Sequence, residues 1–173
     1  MKKTLALLAA LLLPFAAAAH GPTPLKSVET VTIKAPAAKV WALVSDFGAM
    51  EKWHPAVKST KIEQKGGETF RTLTLQDGGT ILERLKGKDD ADMQIKYEIV
   101  EGVVPVSGYN SKITVKDAGN GETKVEWFGR YYRKYVLNPP IPAGQDDESA
   151  KKAIDGIYQS GLANLKKVAE GNK

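Results

Sequence analysis

Hydrophobic residues recur at every second position in several segments, the pattern of strands with one buried face. Predicted inward positions are Val31 and Ile33; Arg71, Leu73 and Leu75; Ile81, Glu83 and Leu85; Met93, Ile95, Tyr97 and Ile99; Tyr109, Ser111, Ile113 and Val115; and Val125, Trp127, Gly129 and Tyr131. Glycine- and aspartate-rich turns interrupt the pattern at residues 65–67, 77–79, 88–90 and 117–121. Because mostly Lys, Glu, Gln and Thr alternate with these positions, the pattern predicts an antiparallel sheet with one solvated face.

Helical spacing replaces this alternation in two places. Pro36 opens the first helix, whose apolar face is Val40, Trp41, Leu43, Val44 and Phe47, and a short helical or turn segment follows over residues 49–57. The last helix begins at the acidic residues 146–148 and Ser149, and its apolar stripe is Ala153, Ile154, Ile157, Gly161, Leu162, Leu165 and Val168. We expect this stripe to pack on the inner face of a curved sheet, because that face is the large apolar surface available.

The first 19 residues have the features of an export signal. Lys2 and Lys3 precede an apolar run over residues 5–15, and alanines at 16–19 suit a signal peptidase. The run is shorter than the ~20 residues of a spanning helix, although a retained anchor is the alternative. We predict a signal peptide at 1–19, a linker at 20–27, one domain at 28–173, and a periplasmic protein without stable membrane insertion after cleavage.

Composition narrows the chemistry that the chain can perform. It has no cysteine, which excludes disulfides, thiolate nucleophiles and cysteine-ligated metals. Loss of Lys2 and Lys3 lowers the formal charge from +5 to +3. Because the lysines are spread over many segments of the sequence, nucleic acid is not an expected partner, whereas weak attraction to acidic proteins is.

The element order and several motifs resemble the helix-grip fold of the START-like (SRPBCC) superfamily, which includes polyketide cyclases, plant hormone receptors and lipid binders. Residues 36–47 resemble its first helix, residues 53–55 the turn after it, and residues 71–75, 78–85 and 97–99 its central strands. Residues 20–24, 53–57 and 105–107 further resemble the periplasmic MxaD-like accessory proteins of methanol oxidation. The resemblance implies an α+β fold, with about seven antiparallel strands curved around the last helix and two short helices after the first strand.

The superfamily resemblance implies a small-molecule cavity between helix and sheet. The predicted cavity residues are Trp41, Arg71, Leu73, Glu83, Tyr97, Tyr109, Trp127 and Tyr131, and the alternative is that they form a packed core. Two entrance loops are predicted from likeness to the hormone receptors, with Gly78 and Gly79 in one and Pro105 and Val106 in the other. Arg71 and Glu83 share the inward phase of neighbouring strands, so we predict that they pair, either to orient a ligand or to join the strands.

The chain offers few candidate residues for catalysis or metal binding, because it has two histidines and no cysteine. His54 has no recognisable serine or cysteine nucleophile near it in sequence, and a histidine before proline in a turn is usually at the surface. If a reaction occurred, Glu83 or Tyr97 would be its acid or base. Cleavage after Ala19 would expose the amine of His20, which with His54 forms a candidate copper site. No cofactor and no other metal are expected.

These features are compatible with three functions. The first is a non-enzymatic periplasmic accessory protein that assists methanol dehydrogenase and its cytochrome c, which the MxaD-like resemblance implies. The second is a carrier or sensor of a small hydrophobic ligand, which requires an enclosed space of ~300 Å³ or more. The third is a cyclase or dehydratase.

Overall fold

Seven strands form one antiparallel sheet in the computed structural model, which describes residues 21–171. The strands are β1 (Leu25–Ile33), β2 (Val57–Lys65), β3 (Glu68–Leu75), β4 (Thr80–Asp89), β5 (Gln94–Gly102), β6 (Val106–Gly119) and β7 (Glu122–Arg133). Their order in the sheet is β1-β7-β6-β5-β4-β3-β2, so β2 to β7 form a meander and β1 pairs beside β7. The predicted α+β helix-grip class is confirmed.

Both helices form where the helical spacing predicted them, but the first ends at Val44, so Phe47, predicted on its apolar face, lies beyond it. Helix α1 spans Ala37–Val44, a 3-10 turn covers Met50–Lys52, and α2 spans Asp147–Glu170. Asp146 caps α2 by accepting a hydrogen bond from the Ser149 N–H at 2.7 Å, and Gly171 ends it in the left-handed conformation. Helix α2 lies against β1 and β7.

The buried face of α2 differs in part from the predicted stripe. Val168 is partly exposed at 36%, whereas Tyr158 and Ala169 are buried. Burial follows the series Ala150, Ile154, Tyr158, Leu162, Leu165 and Ala169, at intervals of three and four residues.

Strand β1 begins three residues before the predicted start of the domain. Leu25 pairs with Tyr131 across the two strands. The buried Ser27 hydroxyl donates a hydrogen bond to Asp155 Oδ1 at 2.5 Å and accepts one from the Tyr131 hydroxyl at 2.6 Å. Residues 25–27, predicted as linker, therefore belong to the sheet. Because a buried serine interrupts the hydrophobic alternation there, the sequence pattern did not show where the strand begins. The predicted signal peptide lies outside the described residues.

Candidate functional site

The space between the sheet and α2 is occupied by a cluster of aromatic rings around Trp127. Tyr158 of α2 stacks on Trp127 with ring centroids 4.4 Å apart and an interplanar angle of 14°. Trp53 and His54, from the turn before β2, contact the same indole edge-on at 5.6 and 5.9 Å. Contacts between aromatic rings thus join α2 and the turn before β2 to the sheet.

Polar atoms in this cluster bond to one another. The Trp127 indole N–H donates to the Tyr97 hydroxyl and to the Ser111 hydroxyl, both at 3.0 Å. The hydroxyls of Tyr109 and Tyr158 are 2.6 Å apart. Each buried polar side chain of the cluster therefore has a partner within the protein, which removes most of the cost of burying it.

Burial also keeps these phenols neutral. Desolvation raises the pKa of Tyr97 to about 12, and the negative charge of Glu83 acts in the same direction. Desolvation places the pKa values of Tyr109 and Tyr158 well above that of an ordinary tyrosine. None of the three is poised to lose a proton near neutral pH.

A cavity of about 60 Å³ remains inside, with room for only a few water molecules. Its lining is largely apolar and consists of Met50, His54, Ala56, Val57, Leu73, Leu75, Ile81, Glu83, Tyr97, Ile99, Val104, Tyr109, Trp127, Ile154 and Ile157. Five predicted cavity residues lie on it: Leu73, Glu83, Tyr97, Tyr109 and Trp127. In this conformation the cavity is far smaller than the ~300 Å³ at which small-molecule pockets begin.

Arg71 and Glu83 form the predicted pair, which is confirmed. They face each other across β3 and β4, and Arg71 Nε donates to Glu83 Oε2 at 2.5 Å, with both side chains 5% exposed. The guanidinium also donates to the Phe47 carbonyl at 3.2 Å and lies 4.1 Å from the Phe47 ring centroid and 4.9 Å from that of Tyr97. Burial raises the pKa of Glu83, and the Arg71 charge opposes that shift.

Three predicted cavity residues lie elsewhere in the structure. Trp41 points to the β4–β5 turn, where its indole N–H donates to Asp90 Oδ1 at 2.9 Å. Tyr131 is buried at the β1 side, where its hydroxyl contacts Ser27. Arg71 lies against the rings of Phe47 and Tyr97 and does not line the cavity. Tyr131 has the predicted inward phase but lies where β7 pairs with the start of β1, and Trp41 is on α1, so neither lines the cavity.

The two predicted entrance loops lie side by side. Gly78 has a φ of +89°, and Gly79 approaches Val103 so closely that a Cβ there would lie 3.0 Å from Val103 Cγ2. The Val103 N–H donates to the Thr80 carbonyl at 3.1 Å. Pro105 lies in the second loop, but Val106 is a buried residue that begins β6, so its assignment to the loop was wrong.

His54 is buried, which corrects its predicted surface position. The ring is 2% exposed, its Nε2–H donates to the Ile157 carbonyl at 3.1 Å, and Nδ1 accepts the Ala56 N–H at 3.3 Å. Desolvation lowers its pKa to about 4, so the ring is neutral at neutral pH. Because both nitrogens are engaged, His54 cannot bind copper without losing one of these bonds, and His20 lies outside the described residues.

Two absences apply to residues 21–171. No three His, Asp or Glu side chains in this range gather closely enough to hold a metal ion. No helix in the same range combines the length and apolar character needed to cross a membrane.

Comparison with known proteins identifies the family. A family model described as polyketide cyclase/dehydrase and lipid transport matches residues 24–170, most of the chain. The chain belongs to this family. Two Arabidopsis thaliana proteins, the abscisic acid receptors PYL6 and PYL2, are each 28% identical to it; the matches cover 87% and 83% of this chain and 71% and 77% of the receptors.

Solved structures of similar fold include the XoxI protein of Bacillus cereus, which has a TM-score of 0.72 and 30% identity, with 83% of this chain and 94% of XoxI covered. The Zhui aromatase/cyclase of Streptomyces sp. R1128 has a TM-score of 0.65 and 17% identity, with 86% and 93% covered, and shows the fold alone. The family has a ligand-binding fold. In this member, large side chains fill most of the interior.

Sequence reasoning missed Tyr158 and the role of Gly161. Tyr158 is four residues from both Ile154 and Leu162, a spacing that could have placed it on the buried face. Gly161 lies under His54, where an added Cβ would be 2.6 Å from His54 Cδ2 and 2.9 Å from Trp127 Cζ3. The absence of a side chain at Gly161 therefore lets His54 reach the backbone of α2.

Gly161→Ala is expected to destabilise the protein although alanine favours helices. Overpacking against two rigid rings costs about 1–3 kcal/mol, against a helix-propensity gain of about 1 kcal/mol. The matched control is Gly156→Ala on the same helix, where nothing lies within 4 Å of an added Cβ; it should stabilise by up to about 1 kcal/mol. Urea denaturation measures the difference in stability between the two variants. Equal stability of the two would contradict the close approach of His54 and Trp127 to Gly161.

Proposed function

We propose that the protein is a non-enzymatic periplasmic accessory protein that assists methanol dehydrogenase in its interaction with its cytochrome c. The observation that carries the proposal is the filled interior: about 60 Å³ remains where a lipid or polyketide would need ~300 Å³ or more. With little room inside, action through the surface is favoured. The resemblance to MxaD-like proteins supplies the partners, and the likeness to XoxI adds support.

The state of the candidate acid–base groups also favours a non-enzymatic role. Tyr97 has a pKa of about 12 and contacts Trp127, and Glu83 is bound to Arg71. A general acid or base works best when its pKa lies near the operating pH and its proton can reach the substrate. Tyr97 fails the first condition, and the Glu83 carboxylate is held in an ion pair with Arg71 instead of being free to exchange a proton with a substrate.

Electron-transfer kinetics test the proposal. We expect the mature protein to increase the rate at which methanol dehydrogenase reduces its cytochrome c at low salt, with a smaller increase at moderate salt because charge attraction is screened. An unrelated protein of the same net charge is the control. No change of rate at either salt concentration would remove the proposal.

Binding of a small hydrophobic ligand is the second candidate function. Glu83, His54 and Tyr109 face a cavity that is otherwise apolar, an arrangement that small-molecule sites share, and similar proteins are abscisic acid receptors. This function requires the interior to open. A small organic molecule retained in native mass spectra of the mature protein would favour it over the accessory role.

A further inference from the structure

The solvated face of the sheet brings together cations that are far apart in sequence. Lys96 of β5 lies directly opposite Lys112 of β6. Lys112 lies opposite Phe128 of β7, and Arg130, two residues further along β7, lies opposite Lys26 of β1. The lysines that looked dispersed along the chain are therefore neighbours across four strands.

These cations lack acidic partners within the described residues. Among residues 21–171, no carboxylate forms an ion pair with Lys26, Lys96, Lys112 or Arg130. The nearby Glu98 is bound by Arg84 and Lys86 instead. Like charges directly opposite each other on a sheet are destabilising, so the Lys96–Lys112 pair opposes folding unless an anion lies across it.

The shape of this face adds a second observation. A groove of about 430 Å³ runs along it, lined by Lys86, Lys96, Asn110, Lys112, Phe128 and Arg130 with parts of Tyr97 and Ser111. Phe128 is half-buried in the groove, and its cross-strand partner Val28 is 40% exposed. An apolar centre within a charged rim is the usual anatomy of a protein interface. A phosphate ion would leave the apolar centre uncovered.

We infer that the face formed by Lys26, Lys96, Lys112, Phe128 and Arg130, here called the basic face, docks an acidic protein surface. Partner carboxylates lie over the Lys96–Lys112 pair, and an apolar partner side chain covers Phe128. The identity of the partner, methanol dehydrogenase or its cytochrome c, rests on the proposed function, whereas the location of the docking site rests on the charges and the groove.

The test compares two double charge reversals. Lys96→Glu with Lys112→Glu alters the basic face, and Lys58→Glu with Lys61→Glu makes the same change of net charge on β2, at the edge of the sheet farthest from β1. Titration calorimetry measures the affinity of each for purified methanol dehydrogenase and for cytochrome c at low salt. We expect the basic-face variant to lose about tenfold or more in affinity for one partner and the β2 variant to lose much less.

A single variant separates docking from folding. Lys112→Glu places a carboxylate opposite Lys96, so it should unfold at a higher urea concentration than the unsubstituted protein while binding the partner more weakly. Loss of binding in a variant that is more stable cannot come from misfolding.

Each remaining outcome has a definite meaning. Equal losses in the two double variants, or no binding of either protein at low salt, would overturn the docking inference. Binding that depends on the basic face but leaves the electron-transfer rate unchanged would uphold the inference and remove the proposed function. Inorganic phosphate and phosphatidylglycerol vesicles are assayed in parallel; binding to these alone would assign the face to a phosphate group and overturn the inference.

Discussion

Glu83→Leu is expected to lower the free energy of unfolding by about 3–5 kcal/mol, because it leaves a buried cation without a counter-charge. Arg71 is 4% exposed, and a guanidinium stays protonated at any ordinary pH. Its contacts with the Phe47 carbonyl and with the Phe47 and Tyr97 rings survive the substitution but do not neutralise the charge. Urea denaturation at pH 7 measures the loss; a change below about 1 kcal/mol would contradict the argument.

The reciprocal substitution supplies the control. Arg71→Met leaves Glu83, which can take up a proton, so the cost should be smaller at low pH. Burial holds the pKa of the Glu83 carboxyl in the folded protein above its value in the unfolded chain. The stability of Arg71→Met should therefore fall as the pH rises from the unfolded pKa to the folded pKa of Glu83. Combining both substitutions removes both charges and should recover most of the stability that Glu83→Leu loses.

Period-two alternation made the sheet predictable. Tyr97, Trp127 and Tyr131 are each buried, as the inward phase of their strands required. Alternation did not predict the burial of Ser27, because this residue is buried through hydrogen bonds and not through apolar contact. Its hydroxyl binds Tyr131 on β7 and Asp155 on α2, and the sequence around it shows no apolar period. Met93, placed at the start of a strand, instead occupies a turn with a φ of +46°.

The types of residue in the candidate site were predictable from the sequence, but their positions in the fold were predictable only in part. The Arg71–Glu83 pair followed from burial alone, because two inward charges on neighbouring strands must compensate each other. Strand phase cannot tell how far along the sheet a residue lies, so Tyr131 was grouped with the cavity. Likewise, the apolar face of α1 does not show whether Trp41 reaches the cavity. Large side chains line the small cavity, and one of them, His54, enters from the turn before β2, a position that no local pattern in the sequence indicates. Tyr158 packs on Trp127 beside it, and only its helical spacing pointed to burial.

The basic face was not predictable for a related reason. The interval of 16 residues between Lys96 and Lys112 carries no meaning until the register of β5 against β6 is known. Register depends on the whole meander, including the irregularities in β4 and β6. Dispersed charge in a sequence is therefore weak evidence for dispersed charge on a sheet.

Acidification is expected to destabilise the protein through His54. The folded pKa is about 4 and the ordinary value is 6.5, so below pH 6.5 the unfolded chain binds a proton that the folded protein does not. The stability contributed by the neutral ring is complete above pH 6.5 and is lost progressively as pH falls to about 4, by about 3 kcal/mol in all. Urea denaturation at intervals between pH 7.5 and pH 4 measures this slope.

His54→Gln separates this effect from the titration of carboxylates. Glutamine can donate to the Ile157 carbonyl as the ring Nε2–H does, but it has no proton to gain in this range. The stability of the variant should therefore fall less steeply below pH 6.5, and the difference between the two curves isolates the histidine. Parallel curves would mean that the ring protonates without cost, which would require it to leave Gly161 and reach solvent, and the packing of α2 on this turn would then be wrong.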